Sequence, residues 1–179
     1  VMLSGLRFRA NFYKTIKGPA AVLRRVESKI PEMSDFTLPE VLYDIIDMHK
    51  GLVLVTGPTG SGKSTTLAAI VNEINKTKNH NIITVEDPVE FIHKDQQSIV
   101  SHREIGKQTE SFASALKAAL REDPDVILVG ELRDLETVGL ALTAAETGHL
   151  VFGTLHTSGA PETINRIIDV FPPEQQSQI

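Results

Sequence analysis

Apolar and polar side chains alternate near the start of the chain. Every second residue from 6 to 12 is apolar, and the residues between them are Arg or Asn; this period of two predicts a half-buried strand. Gly18 and Pro19 form a turn signal, and a second apolar run follows over residues 20–26. The pattern therefore predicts a hairpin or meander, followed by a polar linker within residues 27–36.

A different rhythm begins at residue 37. Thr37 and Glu40 form a capping-box signature with Pro39 in the first turn, and they predict a helix that continues to Met48. Short apolar runs then alternate with helical patterns: the predicted strands are 51–56, 81–85, 126–129 and 150–154, and the predicted helices are 61–75, 109–121, 135–147 and 161–168. Continuous apolar strands are buried on both faces, so the fold class is α/β with a mostly parallel sheet.

Residues 57–64 match G-x-x-x-x-G-K-[ST] at every position, between a predicted buried strand and a helix. Backbone N–H groups of such a loop form a nest for phosphate, and the helix N-terminus adds positive potential. We expect Lys63 to reach the β and γ phosphates and the Ser64 hydroxyl to bind Mg²⁺. The predicted ATP cradle consists of Gly57, Pro58, Thr59, Gly60, Ser61, Gly62, Lys63, Ser64, Thr65 and Thr66.

Acidic residues follow two of the predicted strands. The strand at 126–129 is followed by Gly130 and then Glu131, at the sheet edge where α/β folds bind ligands, and Glu131 is the candidate for orienting the attacking water. Most P-loop enzymes have a Mg²⁺-binding Asp at the preceding position, which here is Gly130. Another acid must then help to hold the metal's water shell, and Glu86, Asp87 and Glu90 are the candidates; spacing alone does not separate them.

Two histidines flank the last predicted strand. The spacing of His149 and His156 matches no familiar zinc site. They are either structural groups or polar residues near the phosphates at the nucleotide end of the sheet.

Four arginines lie on the predicted hairpin: Arg7, Arg9, Arg24 and Arg25. They form either a solvated basic face or a set of arginine fingers that reach a nucleotide bound by a neighbouring subunit.

Composition narrows the functional classes. The 179 residues carry a formal net charge of -5, with 41% hydrophobic and 23% charged residues, which is typical of a globular domain and argues against a nucleic-acid binder. The absence of Cys excludes disulfides and cysteine-ligated metals within this chain. No run approaches the ~18 apolar residues of a membrane span, so a cytoplasmic location is expected.

Five longer segments carry a resemblance to a known family. They are RFRAN at 7–11, GLVLVTGPTGSGKSTTLAA at 51–69, ITVEDPVEF at 83–91, ALREDPDVILVGELRDLET at 119–137 and ALTAAETGHLVFGTLHT at 141–157, followed by RIIDVFP at 166–172. With them the chain resembles the secretion ATPase superfamily, and most closely its PilT-type type IV pilus retraction ATPases. A missing Walker-B Asp is normal in that family.

The resemblance implies a domain organisation. Residues 1–30 would be the C-terminal part of a PAS-like N-terminal domain, 31–36 a linker, and 37–179 a RecA-like ATPase domain truncated at its C-terminal end. It also implies a homo-hexamer with ATP at subunit interfaces, peripheral at the inner membrane face and in contact with a pilus platform protein.

The resemblance assigns roles to single residues. Glu131 would be the catalytic glutamate, assisted by Lys63, and Glu90 the acid nearest Mg²⁺. His149 and His156 would be the histidine-box residues. Arg7, Arg9 and Arg24 would contact the nucleotide bound by a neighbour.

Other functions remain open at this point. The nearest are a pilus extension ATPase and a type II secretion ATPase, which usually carry a tetracysteine zinc module. More remote are a RecA-like DNA motor, disfavoured by the acidic balance, and a P-loop phosphotransferase, disfavoured because no Arg-rich lid insertion follows residue 110.

Overall fold

The computed structural model describes residues 2–3, 6–26 and 29–176, with side chains from Phe8 onward. An antiparallel sheet opens the chain, built from β1 (Met2–Leu3), β2 (Leu6–Thr15) and β3 (Gly18–Val26). Thr15 pairs with Gly18, so the turn is Ile16–Lys17 and lies two residues before the predicted one. Gly18 has φ 114°, a left-handed conformation that a residue without a Cβ adopts at little cost.

The second sheet has five parallel strands. The elements are α1 (Val41–Ile46), β4 (Gly51–Thr56), α2 (Lys63–Thr77), β5 (Asn81–Glu86), β6 (Ile99–Glu104), α3 (Phe112–Ala119), β7 (Val126–Val129), α4 (Leu135–Glu146), β8 (Leu150–Leu155) and α5 (Ala160–Ile168). The strand order is β4-β8-β7-β5-β6, and every pairing is parallel. The predicted α/β class with an N-terminal β-rich portion is confirmed; that this portion ends a PAS-like domain stays a prediction.

The central strands are apolar throughout because each contributes to two cores. Phe152 of β8 packs with Ile70 and Ile74 of α2 on one face of the sheet. Its neighbour Val151 packs with Val138 of α4 on the other face. Consecutive residues of a strand point to opposite faces, so a strand covered on both sides shows no alternation.

The segment before β4 differs from its prediction. The helix begins at Val41 and not at Thr37, and the capping box forms earlier, between Glu32 and Asp35 around a 3₁₀ turn, Met33–Asp35. Met33 is buried in the core beside α2, so the predicted linker contributes an anchor to the ATPase domain.

Strand β6 has no counterpart among the predicted elements. It lies at the sheet edge and pairs only with β5. Because an edge strand is partly solvated, its second half is polar, and the continuous apolar run used to find the other strands is missing. Within the described residues the longest helix, α2, has 15 residues, and no helix is long and apolar enough to span a bilayer.

Candidate active site

The carboxyl ends of four parallel strands meet around one cavity of about 490 Å³. The loop after β4 supplies the glycine-rich motif, the end of β5 and the turn after it supply three carboxylates, and the segments after β7 and β8 supply Glu131 and His156. A cavity of this size is typical of a small-molecule site. The site therefore follows from strand direction, since parallel strands present their ends at one edge.

The glycine-rich loop has the conformation that its sequence predicts. Gly57, Gly60 and Gly62 have φ values of 146°, 82° and 94°, which disfavour any side chain. A Cβ at Gly57 would also lie 2.6 Å from the Ser61 hydroxyl oxygen. Gly62 is the N-cap of α2 and provides no side-chain cap, so the first N–H groups of this helix are left for an anionic ligand.

Part of the predicted cradle lines the cavity directly. The lining residues from the loop are Thr59, Gly60, Gly62, Lys63, Ser64 and Thr65. Gly57, Pro58, Ser61 and Thr66 are not among the lining residues; the first three belong to the loop, and Thr66 lies in the first turn of α2. The Lys63 ammonium donates to the carbonyl oxygens of Gly57, at 2.9 Å, and Pro58, at 3.1 Å, which holds its charge over the loop.

Glu131 faces the cavity between two basic side chains. Its carboxylate accepts from Arg133 at 2.5 Å and lies 3.5 Å from Nε2 of His156. Burial raises the pKa of Glu131, whose side chain is 19% exposed, but the hydrogen bond and charge of Arg133, with His156, outweigh burial and lower it overall. Glu131 is therefore a carboxylate at neutral pH, as a group that orients water must be. Arg133 was not singled out in the sequence, although it lies only two residues away.

Gly130 occupies the Walker-B position for a steric reason. A Cβ there would lie 3.2 Å from the Glu86 Cα and 3.3 Å from the Val85 carbonyl oxygen. The Gly130 N–H donates to that carbonyl at 2.8 Å, and the Gly130 carbonyl accepts from the Thr154 hydroxyl. An acidic side chain at this point would push apart β5 and the end of β7.

The turn after β5 brings all three candidate carboxylates to the cavity. Glu86, Asp87 and Glu90 each line it, and the Asp87–Pro88 peptide bond is cis. Glu86 is half-buried, whereas Asp87 and Glu90 are exposed. The fold therefore places Glu86 in the wall of the cavity and the other two at its mouth.

Two hairpin arginines line the same cavity. Arg9 and Arg24 are direct partners across β2 and β3, and both line the cavity together with the chain's own P-loop. That these arginines also contact a nucleotide bound by a neighbour stays a prediction. Two guanidinium groups opposite each other are unfavourable in a bare hairpin, and an anion between them removes the repulsion. The Arg7 side chain lies outside the described residues.

A second cavity of about 440 Å³ adjoins the first, also between the hairpin and the acidic turn. It shares five lining residues with the first cavity: Arg9, Arg24, Asp87, Pro88 and Glu90. Its other walls include apolar side chains, namely Phe8, Val26, Val89 and Phe91, and the charged side chains of Arg25, Glu104 and Lys107. The second cavity is therefore lined by both apolar and charged groups.

The two predicted histidines lie at opposite ends of β8. His156 follows the carboxyl end and lines the cavity. His149 precedes the amino end, about 20 Å away at the usual rise per residue, and its Nδ1 contacts the Ala144 carbonyl at 2.9 Å. The prediction that His149 lies near the nucleotide end is wrong for this chain's own site, because a strand separates its two ends by its full length.

The residues that line the cavity fit a magnesium ion whose ligands come mainly from the phosphates of the nucleotide and from water. Among the residues that the structure describes, no group of three or more His, Cys, Asp or Glu side chains is placed to hold a metal. Ser64, Glu86 and Glu90 nonetheless line the cavity beside the P-loop. A hydroxyl with one or two carboxylates is the protein share that Mg²⁺ typically takes, the rest being phosphate and water.

Comparison with known proteins agrees with this geometry. Residues 2–175 match the family model described as type II/IV secretion system protein. The chain is 57% identical over 173 residues to the twitching motility protein of Neisseria gonorrhoeae, covering 97% of this chain and 46% of that protein. It is 56% identical over 173 residues to the type IV pilus retraction ATPase PilT of Pseudomonas aeruginosa, covering 97% of this chain and 50% of that protein.

A solved structure shares the fold. The crystal structure of the pilus retraction motor PilT with bound ADP superposes with a TM-score of 0.92 at 58% identity, over 96% of this chain and 50% of that one. The chain thus spans about half the length of the curated relatives it matches.

Proposed function

The chain belongs to the type II/IV secretion system protein family, and on this premise we propose that it is the ATP-hydrolysing part of a hexameric motor that powers type IV pilus retraction and twitching motility. One observation carries the proposal: Lys63 of the P-loop and the carboxylate of Glu131 line the same cavity. A P-loop alone binds nucleotide, whereas a carboxylate facing it adds the means to direct a water at the γ phosphate.

The side chains divide the work of hydrolysis. The N–H groups at the start of α2 and the Lys63 ammonium hold the phosphates and stabilise the charge that develops on them. Glu131 accepts a hydrogen bond from the attacking water and aligns it. Arg133 and His156 keep Glu131 ionised and oriented through their contacts at 2.5 Å and 3.5 Å.

Mg²⁺ is part of the proposal. The Ser64 hydroxyl would bind the metal ion directly, and Glu90 and Glu86 would contact the water molecules that surround it. When bound, Mg²⁺ would neutralise charge on the phosphates. Arg9 and Arg24 close the cavity from the hairpin side and contribute positive charge there. The adjoining cavity of about 440 Å³, whose walls include Phe8 and Phe91 beside charged side chains, has room for the nucleoside.

Assembly into a hexamer is supported by the surface of the hairpin. Phe12 and Leu23 are 73% and 46% exposed. They lie on the same face of the hairpin, because Phe12 pairs with Ala21 and Leu23 with Ala10. Neighbouring exposed apolar side chains are a feature of interaction surfaces, so we propose that this face of the hairpin packs against another part of the assembled protein.

Retraction is preferred over extension because the similar proteins named above are a twitching motility protein and a retraction motor. The platform protein and the cytoplasmic position at the inner membrane are proposed on the same ground. A chromosomal deletion separates the two directions: a retraction motor predicts surface pili that accumulate while twitching stops. Cells without surface pili would instead indicate an extension ATPase.

The first experiment measures ATP turnover against protein concentration on the full-length protein, with molar mass followed by light scattering. Specific activity should rise steeply as a hexamer-sized species forms. Constant activity in a persistent monomer would contradict the motor and favour a phosphotransferase, which an acceptor-dependent product would then reveal. Salt-sensitive stimulation by DNA would favour a DNA motor.

A further inference from the structure

A small cavity lies beside the start of α2, which contributes Ser64, Leu67 and Ala68 to its walls. Its volume is about 30 Å³, which is room for one water molecule. Four of its lining residues, Ser64, Glu86, Gly130 and Thr154, also line the large cavity. This small cavity, the chamber, therefore adjoins the large one.

His93 lines the chamber and carries an unpaired polar atom. The side chain lines the chamber and the residue is 7% exposed, yet its Nδ1 is buried without a hydrogen-bond partner, the one such side-chain atom among the described residues. Leaving a buried polar atom unpaired costs about 1–3 kcal/mol. Burial, with the nearby His102, lowers the pKa of His93 to about 4, so the ring is neutral and one nitrogen keeps a lone pair.

His102 orients a second polar group toward the chamber. Its ring stacks on His93 with centroids 5.7 Å apart. The His93 backbone N–H donates to Nε2 of His102 at 3.0 Å, so the ring proton is on Nδ1, which lies 2.8 Å from the Thr84 hydroxyl oxygen. That hydroxyl accepts from His102 and has its own hydrogen to donate. Thr84 lines the chamber too.

We propose that the chamber holds one ordered water that accepts from Thr84 and donates to His93 Nδ1 and to the Glu86 carboxylate. Three partners are the usual number for a buried water. Glu86 follows Thr84 by two residues on β5, so the two side chains point the same way. The water ties Glu86, in the wall of the phosphate cavity, to the stacked histidines, and His93 is thereby a positioning residue.

A crystal structure of the full-length protein without nucleotide tests the water directly. Density for a water should lie about 2.7–3.2 Å from His93 Nδ1. A dry chamber, or a protein atom that pairs with Nδ1, would overturn the proposal. This result does not depend on whether the protein hydrolyses ATP, so it is separable from failure of the proposed function.

The kinetic consequence rests on the proposed function and uses two substitutions. Asn retains a polar atom near the position of Nδ1, whereas Gln retains one near Nε2. His93→Asn should keep the water and most of the turnover, and His93→Gln should lower kcat about tenfold, as loss of outer-sphere positioning typically does, with nucleotide Kd unchanged. His80→Gln, at a partly exposed histidine outside the chamber, is the matched control.

Equal turnover of the Asn and Gln variants would reject the positioning role. If His93→Gln does not fold, His93→Asn alone decides the matter. A loss of turnover of about tenfold in His93→Asn, equal to that expected for His93→Gln, would contradict a retained water.

Discussion

Replacing Gly130 by alanine is the sharpest test of why the site lacks a Walker-B acid. The added Cβ would lie 3.2 Å from the Glu86 Cα and 3.3 Å from the Val85 carbonyl oxygen. Both are backbone atoms of β5, and the hydrogen bond from Gly130 N–H to Val85, at 2.8 Å, holds them in place. Relief requires the strand end to move by a few tenths of an ångström, and overpacking of this kind costs about 1–3 kcal/mol.

Gly139→Ala is the matched control, because nothing lies within 4 Å of its Cβ position in α4. There the same substitution should stabilise by about 0.5–1 kcal/mol. In thermal unfolding of the full-length protein, Gly130→Ala should lower Tm by about 2–10 °C and Gly139→Ala should raise it slightly. Equal Tm values for the two variants would refute the close approach of β5 and β7.

Three further predictions concern the site. Glu131→Gln should lower turnover at least about 100-fold while a fluorescent nucleotide still binds, because Gln lacks the carboxylate base and has nearly the same shape as Glu. Turnover near the wild-type rate would exclude Glu131 from the mechanism. Arg24→Ala should weaken nucleotide binding about tenfold, as measured by titration, because Arg24 lines the cavity. Lys14→Ala removes a positive charge outside the cavity and should leave the affinity unchanged. Equal effects of the two substitutions would indicate a general effect of charge. His93 has a folded-state pKa of about 4, against an ordinary value of 6.5, so its contribution to stability is complete above about pH 6.5 and is lost as the pH falls toward 4. The free energy of unfolding in urea should therefore fall by about 2 kcal/mol between pH 7 and pH 5, and this fall should disappear in His93→Asn. An identical pH dependence in that variant would contradict the assignment to His93.

The sequence by itself determined the parts of the site that are local in the chain. The phosphate-binding loop could be predicted because its glycines stand between a strand and a helix, at positions that require positive φ. The place of Glu131 at the sheet edge could be predicted because it follows an apolar strand. Because parallel strands end at a common edge, their sequence order was enough to bring Lys63, Glu86 and Glu131 together. The α/β class followed from the same alternation of strands and helices.

Only the tertiary structure decided contacts between elements that are distant in the chain or irregular in pattern. Arg9 and Arg24 reach the chain's own cavity because the hairpin docks over the acidic turn, and periodicity does not encode that docking. Strand β6 was missed because an edge strand needs no apolar run, and with it the stacking of His102 on His93. Gly130 shows the reason most directly: its sequence position indicated a missing acid, whereas the approach of β5 to within 3.3 Å of a Cβ explains why no side chain is there.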